Sequence, residues 1–185
     1  MHEAIKKADV LIEALPYIRQ FRNKVVVIKY GGSILGEDKI RKGVLEDIVF
    51  MNFMGLKTVL VHGGGPNISD RMRATGKKTD FVDGMRVTDD QTLKVVEEEL
   101  QKLNTMIVKE LGELGCCGVG MNGKENKLLL SEKKQSKIDL GLVGHITGVN
   151  TKVIFDGLDD DKVIVILPMG AGSDGKTYNV NADEA

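Results

Sequence analysis

Hydrophobic positions follow two patterns that alternate along the chain and predict an α/β fold. Short runs rich in β-branched and apolar residues, typical of buried strands, occur at 25–28, 58–61 and 163–167. Apolar residues recur at intervals of three and four over 40–53 and 93–114, which is typical of amphipathic helices. Strand, helix and strand in this order form a βαβ unit with a right-handed crossover. We therefore expect the ends of the parallel strands to meet at one edge of a sheet.

The segment before the first strand predicts an additional helix. Apolar residues at 5, 8, 11, 12 and 15 share one helical face, with charged residues between them. Pro16 either kinks this helix or begins a second, short one. Two roles are open for its apolar face, which covers either the domain's own flank or another subunit. We assign residues 1–22 to this helical extension and residues 23–185 to the main domain.

Glycines follow two of the predicted strands. Lys29, Gly31 and Gly32 follow the first strand, and the cluster at 63–65 follows the second, before a predicted helix at 67–74. Ligands of open α/β sheets bind beyond the carboxyl ends of the strands, where glycine N–H groups approach anions closely. The clusters fit neither G-x-G-x-x-G nor G-x-x-x-x-G-K-[ST], which excludes a dinucleotide fold and a Walker-type site. Together they predict an anion site, although a solvated lysine before a tight turn would explain the first cluster alone.

Further polar candidates lie in two segments without helical period. Arg86, in a loop or hairpin over 76–90, is suited to bidentate capture of a carboxylate, although solvated loop arginines are common. Asn179 and Asn181 have i, i+2 spacing, so an extended chain directs both amides to one face. Asp183 follows where a helix should begin. These side chains predict a polar pocket, with an Asx-rich helix cap as the alternative.

Composition narrows the classes of protein and site. The formal net charge is −1, which gives no indication of a polyanionic partner, and no apolar stretch approaches the roughly 20 residues of a membrane span. Cys116 and Cys117 are adjacent and fit no metal-ligand pattern, so we expect a soluble, cytoplasmic protein in a reducing compartment. We predict no metal site, because Glu97, Glu98 and Glu99 span different faces of a helix. We interpret the histidine at position 62 as a strand-end residue oriented by a local hydrogen bond.

Four motifs together resemble the N-acetylglutamate kinases of the amino acid kinase family. They are KYGGS at 29–33, HGGGP at 62–66, GMRVTD at 84–89 and YNVNAD at 178–183, in this order and spacing. The resemblance extends from residue 24 onward and implies a three-layer αβα sandwich with a mainly parallel central sheet. It also implies an amino-terminal half that binds N-acetyl-L-glutamate and a carboxyl-terminal half that binds ATP with Mg²⁺. The implied reaction is phosphorylation of the substrate's side-chain carboxylate in arginine biosynthesis.

The resemblance also implies roles on the phosphate side of the site. Lys29 matches the family lysine that stabilises the transferring phosphoryl group, and Asp183 matches the aspartate that orients the catalytic lysines. Gly31 and Gly32 match backbone donors to phosphate oxygens.

On the substrate side, Gly64 and Gly65 match backbone donors to oxygens of the substrate. Arg86 matches the arginine that binds the substrate α-carboxylate, which argues against carbamate as the acceptor. Asn179 and Asn181 match amides beside the substrate.

The resemblance extends to assembly and leaves alternatives open. A helix before the first strand is similar to that of arginine-inhibited, hexameric members, which implies a homo-oligomer, dimer or hexamer, and arginine as feedback inhibitor. The sequence ends at Ala185, where the resembled enzymes continue into the ATP-binding half, so we expect substrate binding without kinase turnover. The alternatives are a stand-alone amino-acid-binding or regulatory module, or a relative with another acceptor such as glutamate, aspartate or a nucleoside monophosphate.

Overall fold

The computed structural model describes residues 2–32, 37–158 and 162–185. The helices are α1 (His2–Phe21), α2 (Asp38–Phe53), α3 (Gly65–Ala74), α4 (Asp90–Glu113) and α5 (Thr151–Leu158). The strands are β1 (Val25–Tyr30), β2 (Lys57–His62), β3 (Phe81–Val82), β4 (Met85–Arg86), β5 (Gly118–Asn122), β6 (Leu129–Lys133), β7 (Val143–Val149), β8 (Val163–Leu167), β9 (Met169–Gly172) and β10 (Thr177–Val180).

The main sheet confirms the predicted α/β fold and its parallel strands. Four strands pair in the order β1, β2, β8, β5, and every pairing is parallel. Helices α2 and α4 pack on one face of this sheet and α5 on the other. All five residues of β8 are buried, as expected of a central strand covered on both faces. The ends of β1 and β2 therefore open at the same edge.

Strand β1 is not buried on both faces, so that part of the prediction is wrong. Among the described strands it pairs with β2 alone, which places it at the edge of the main sheet. The side chains of Val25 and Val27 are 40% and 63% exposed, whereas Ile28 and Tyr30 pack in the core beside α2. Lys29 shares the open face because alternate residues of a strand point the same way. β-branched residues favour edge and central strands alike, which is why the run was ambiguous.

Four short strands form a second sheet that closes on itself. β7 pairs antiparallel with β6 and parallel with β10, while β9 pairs parallel with β6 and antiparallel with β10. The hydrophobic pattern of the chain did not predict this separate sheet. The end of β10 lies beside the edge where β1 and β2 end. Ala182, just beyond β10, is 3.8 Å from the position that a Cβ on Gly63 would take.

Helix α4 begins and ends where the sequence predicts. The Asp89 carboxylate accepts a hydrogen bond of 2.7 Å from the Thr92 amide, a typical N-cap. The Lys77 ammonium, 2.7 Å from the Asp89 carboxylate, and the Thr92 amide lower the pKa of Asp89 well below its ordinary value. Gly115, with φ of 81°, adopts the left-handed conformation common just after helices. The buried face of α4 supports the second glycine cluster.

Two helices expose more apolar surface than the sequence predicts. On α2, Leu45 and Ile48 are buried as expected, but Phe53 is 62% exposed and Ile40 is also exposed. Helix α1 continues through Pro16 as one helix, and no side chain described in it is buried. Its apolar residues therefore do not cover the domain's own flank, which was one of the two roles considered.

Candidate functional site

A cavity of about 360 Å³ lies beyond the carboxyl ends of β1 and β2. Seven of the predicted site residues line it: Lys29, Gly32, Gly64, Gly65, Arg86, Asn179 and Asn181. Gly31 and Asp183 are not among the lining residues, although the Asp183 carboxylate lies 2.8 Å from the Lys29 ammonium. Residues more than 150 positions apart in sequence thus meet in one concave site of a size that suits a small ligand.

The two glycine clusters lie next to each other in space. A Cβ built on Gly32 would lie 3.2 Å from the Gly65 nitrogen and 3.3 Å from the Gly64 nitrogen. Neither of these N–H groups donates to another described residue, and they stand at the positive N-terminal end of α3. Such free, converging donors are suited to an anionic oxygen. Ser33, the last residue of the first motif, lies outside the described residues.

Arg86 is held in the cavity wall by neutral groups. Its Nη2 atom donates to the Gly65 carbonyl at 3.1 Å and to Ser69 Oγ at 2.7 Å, and Nη1 lies 3.4 Å from Met72 Sδ. The guanidinium also stacks over the Phe81 ring, 4.6 Å from its centroid. This arrangement depends on the hairpin of β3 and β4, which the sequence predicted as a loop or hairpin.

The electrostatics of Arg86 favour an anionic ligand. The residue is only 6% exposed, and within the described ranges no carboxylate forms an ion pair with it. Burial lowers the pKa of the guanidinium, which nevertheless stays protonated at neutral pH. A desolvated cation without a counter-charge gains most from a bidentate carboxylate. We conclude that the arginine wall of this cavity is built to receive an anion.

The two asparagines line the same cavity and differ in their contacts. Asn179 donates from Nδ2 to Thr88 Oγ1 at 3.2 Å, and that hydroxyl donates to the Arg86 carbonyl at 2.7 Å. Asn181 Oδ1 accepts from the Asp183 amide at 3.1 Å, which forms an Asx turn. The turn considered as an alternative therefore coexists with a place in the cavity wall.

Two cavity residues were missed at the sequence level. The Lys134 ammonium and the Glu184 carboxylate both line the cavity and form an ion pair with each other. Lys134 belongs to a cluster of exposed-looking lysines at 133, 134 and 137, so no local signal distinguishes it. Of the three cationic lining residues, Lys29 pairs with Asp183 and Lys134 with Glu184, whereas Arg86 forms no ion pair with a described residue. The cavity is therefore suited to a ligand that offers Arg86 a carboxylate.

His62 is oriented locally, as the sequence analysis predicted. The ring is fully buried at the end of β2, and its Nδ1 atom lies 3.1 Å from the Gly63 carbonyl oxygen. Burial lowers the pKa of the imidazole, while the bond to Gly63 opposes this shift. The ring is therefore neutral at neutral pH. His62 is not among the residues that line the cavity.

Two carboxylates of the acidic run on α4 form ion pairs outside the cavity. Glu97 pairs with Lys124 and Glu99 with Lys102, as expected of helix-surface carboxylates. Within residues 2–32, 37–158 and 162–185, no three His, Cys, Asp or Glu side chains cluster as metal ligands. None of the helices described there combines the length and apolarity that crossing a membrane would require.

Sequence comparisons identify proteins similar to this chain. The profile of the Amino acid kinase family matches residues 24–185. The acetylglutamate kinase of Caldanaerobacter subterraneus subsp. tengcongensis is 50% identical over 184 residues, which are 99% of this chain and 62% of that enzyme. The acetylglutamate kinase of Thermoanaerobacter pseudethanolicus is 48% identical with the same coverage. The chain thus spans 62% of the length of these curated relatives.

Solved structures share the fold. The N-acetylglutamate synthase of Neisseria gonorrhoeae, complexed with coenzyme A and N-acetyl-glutamate, superimposes with a TM-score of 0.79 at 24% identity over 93% of this chain and 40% of the synthase. The smu.665 protein of Streptococcus mutans superimposes with a TM-score of 0.77 at 24% identity, covering 86% of this chain and 64% of that one. Likeness at this identity concerns the fold alone.

Proposed function

The chain belongs to the amino acid kinase family, and on that premise we propose that it carries the acceptor-substrate half of an acetylglutamate kinase. In this proposal the cavity binds N-acetyl-L-glutamate, and ATP phosphorylates the side-chain carboxylate of that substrate in arginine biosynthesis. Acetylglutamate kinases 50% and 48% identical to the chain support this assignment. We propose residues 1–22 as a helical extension and residues 23–185 as the substrate-binding domain.

The observation that carries the proposal is the buried Arg86 without a carboxylate partner. N-acetyl-L-glutamate offers two carboxylates and no ammonium group, because acetylation removes the charge of the α-amino nitrogen. We propose that Arg86 binds the α-carboxylate and that Asn179 and Asn181 contact the substrate beside it. Gly64 and Gly65 then donate N–H groups to a substrate oxygen. The Arg86 guanidinium and the N–H groups of the second glycine cluster support an anionic ligand.

The chemistry requires charge stabilisation rather than a general base. A glutamate side chain has a pKa of about 4.3, so it is an ionised nucleophile at neutral pH. The obstacle is repulsion between this carboxylate and the phosphoryl group, which fixed positive charge and N–H donors reduce. We propose that Lys29, oriented by Asp183, and the glycine donors at Gly31 and Gly32 perform this role. The ion pair of 2.8 Å between Lys29 and Asp183 supports the orienting function.

We propose ATP with Mg²⁺ as the phosphoryl donor, bound mainly by a further half of the protein. The part of the chain described here offers no cluster of three metal-ligating side chains.

Calorimetric titration of this chain with N-acetyl-L-glutamate tests the proposed substrate. We expect saturable binding of N-acetyl-L-glutamate and much weaker binding of L-glutamate, because the ammonium group on the α-carbon of glutamate would lie close to the Arg86 guanidinium that binds the α-carboxylate. N-acetyl-D-glutamate and N-acetyl-L-aspartate serve as controls for stereochemistry and chain length. Equal affinity for N-acetyl-L-glutamate and L-glutamate would contradict the proposal. If a folded chain binds neither, the titration is repeated on a protein that includes the ATP-binding half.

We propose that helix α1 joins subunits into a homo-oligomer, dimer or hexamer, with arginine as a feedback inhibitor. The exposed apolar residues of α1, which have no partner within the described domain, support an intersubunit role. Covering such a surface is favourable by about 25 cal/mol per Å² of apolar area buried.

Deletion of residues 1–20 should reduce the mass of the assembly in light scattering. The double variant Leu11→Lys/Leu15→Lys should have the same effect, because it places charges on the apolar face. Glu13→Lys, a charge change on an exposed residue of the same helix, serves as the matched control. An unchanged mass for both the deletion and the double variant would refute the role of α1.

We also propose a cytoplasmic location for the protein. Cys116 and Cys117 are both free thiols, and Cys117 is exposed. An exposed free thiol beside a second cysteine fits a reducing compartment.

A further inference from the structure

A buried polar chain connects α4 and β8 with the second glycine cluster. Asn104, on the buried face of α4, donates from Nδ2 to the Val165 carbonyl at 2.9 Å. The same Nδ2 atom lies 3.2 Å from Nε2 of His62, and Nδ1 of that ring lies 3.1 Å from the Gly63 carbonyl. Both side chains are buried and neither lines the cavity. The chain of contacts thus ends on the backbone of the loop that borders the cavity.

The partners determine which nitrogen of His62 carries the proton. An amide NH₂ group is only a donor, so the contact with Asn104 makes Nε2 the acceptor. The proton of the neutral ring is then on Nδ1, which donates to the Gly63 carbonyl oxygen. Burial, which lowers the pKa of the imidazole, favours this neutral form. His62 is therefore a directional link with one donor and one acceptor, both in use.

This link determines the orientation of a peptide group that faces the cavity. The peptide between Gly63 and Gly64 is planar and trans, so its N–H points opposite to its carbonyl. Because the Gly63 carbonyl is held towards His62, the Gly64 N–H is directed away from the ring. The Gly64 and Gly65 nitrogens also lie within 3.3 Å of the Cβ position of Gly32, across the two loops. Three successive glycines have no side chains with which to hold this orientation themselves.

The neighbouring elements make room for the same arrangement. A Cβ on Gly120 of β5 would lie only 2.1 Å from Asn104 Oδ1, so the amide occupies space that a side chain there would fill. A Cβ on Gly64 would lie 2.8 Å from Leu103 Cδ1, so α4 also supports the loop by close packing. The lack of a side chain at Gly120 thus leaves room for the Asn104 amide. The lack of a side chain at Gly64 allows the loop to approach α4.

We propose that His62 and Asn104 are positioning residues that orient the Gly64 N–H group towards an anionic oxygen of the bound substrate. That this group contacts N-acetyl-L-glutamate rests on the proposed function. The orientation of the loop by His62 and Asn104 is a property of the chain itself and is tested without ligand.

Substitutions of His62 separate its two contacts. His62→Leu removes both hydrogen bonds, while His62→Asn places an amide donor close to the position of Nδ1 and keeps the bond to Gly63. Asn104→Leu removes the donor from α4. Asn52→Leu is the matched control, because Asn52 is also a buried amide, on α2, but contacts Cys116 and not the glycine loop.

The ligand-free measurement is ¹⁵N relaxation and chemical shift of the Gly64 and Gly65 amides. We expect both amides to shift and become more mobile in His62→Leu and Asn104→Leu, and to stay close to the parent in His62→Asn and Asn52→Leu. Unchanged glycine amides in folded His62→Leu would overturn the proposal. If His62→Leu does not fold, the same measurement is made on Asn104→Leu and on Gly120→Ala, which displaces the Asn104 amide. Unchanged glycine amides in both folded variants would then overturn the proposal.

Calorimetry with N-acetyl-L-glutamate then tests the link to the substrate. We expect His62→Leu and Asn104→Leu to weaken binding about tenfold, as loss of one well-directed hydrogen bond to a charged group would. His62→Asn should retain most of the affinity, and Asn52→Leu should lower the unfolding temperature without changing the dissociation constant. Equal affinity in parent and His62→Leu would overturn the substrate role of the oriented amides. If the parent does not bind even in a protein that includes the ATP-binding half, the proposed function fails, while the relaxation data still decide the orientation.

Discussion

Arg86→Ala should weaken the binding of N-acetyl-L-glutamate by roughly 10²–10³, beyond ready detection by calorimetry. Hydrogen bonds to charged groups contribute about 1.5–3 kcal/mol each, and a bidentate guanidinium forms two of them with one carboxylate. Among the described residues, Arg86 contacts Gly65, Ser69 and Met72 and no carboxylate, so a substrate carboxylate would supply its counter-charge. We therefore expect a large loss of affinity, because the substrate carboxylate binds Arg86 without first breaking an ion pair between described residues.

Two further variants show whether geometry or charge is responsible. Arg86→Lys keeps the charge but loses the planar fork, so we expect it to bind more weakly than the parent and more tightly than Arg86→Ala. Arg73→Ala removes an exposed arginine of α3 whose partner is Asp70, so it should leave binding unchanged. A dissociation constant for folded Arg86→Ala within about threefold of the parent would contradict the assignment, since that corresponds to less than one hydrogen bond.

Lys29→Ala should lower kinase turnover by roughly 10²–10³ in a protein that includes the ATP-binding half. Loss of one preorganised group that stabilises developing charge has an effect of this size in other enzymes. We expect the affinity for N-acetyl-L-glutamate to change much less, because the role proposed for Lys29 concerns the transferring phosphoryl group. The effect should therefore appear in kcat with a nearly constant KM for the acceptor.

Controls for Lys29 use its neighbourhood in the structure. Lys24→Ala removes an exposed lysine just before β1 and should leave turnover unchanged. Asp183→Asn keeps the shape of the partner 2.8 Å from the Lys29 ammonium but removes its charge, so turnover should fall by less than in Lys29→Ala. Parent-like turnover in Lys29→Ala would refute the catalytic role of this lysine, and loss of acceptor affinity alone would reassign it to substrate binding.

Much of the fold was predictable because its signals are local. The run of five apolar residues in β8 predicted a strand covered on both faces, and each of the five is buried. The apolar period over 93–114 predicted helix α4, whose termini are stabilised locally by the capping carboxylate of Asp89 and the left-handed Gly115. The hairpin before α4 was likewise indicated by Gly84 and the lack of helical period.

The misjudged elements share a different cause. A run such as 25–28 specifies a strand, but its exposure depends on which strands pair with it, and β1 pairs with β2 alone among those described. The same holds for Phe53 and for the apolar face of α1, whose burial depends on partners outside the local pattern. Lys134 and Glu184 were not predicted as site residues, because their pairing and their place in the cavity depend on the closed second sheet.

The chain alone therefore specified the helices, the strands, the parallel βαβ order and a set of residues suited to an anion. Periodicity, capping and glycine placement act over a few residues, so they can be recognised in the sequence alone. Which strand lies at the edge, which lysines face the cavity, and how Asn104 reaches His62 across 42 residues follow only from tertiary packing. Such contacts depend on strand order, register and burial of the whole domain, and no local pattern encodes them.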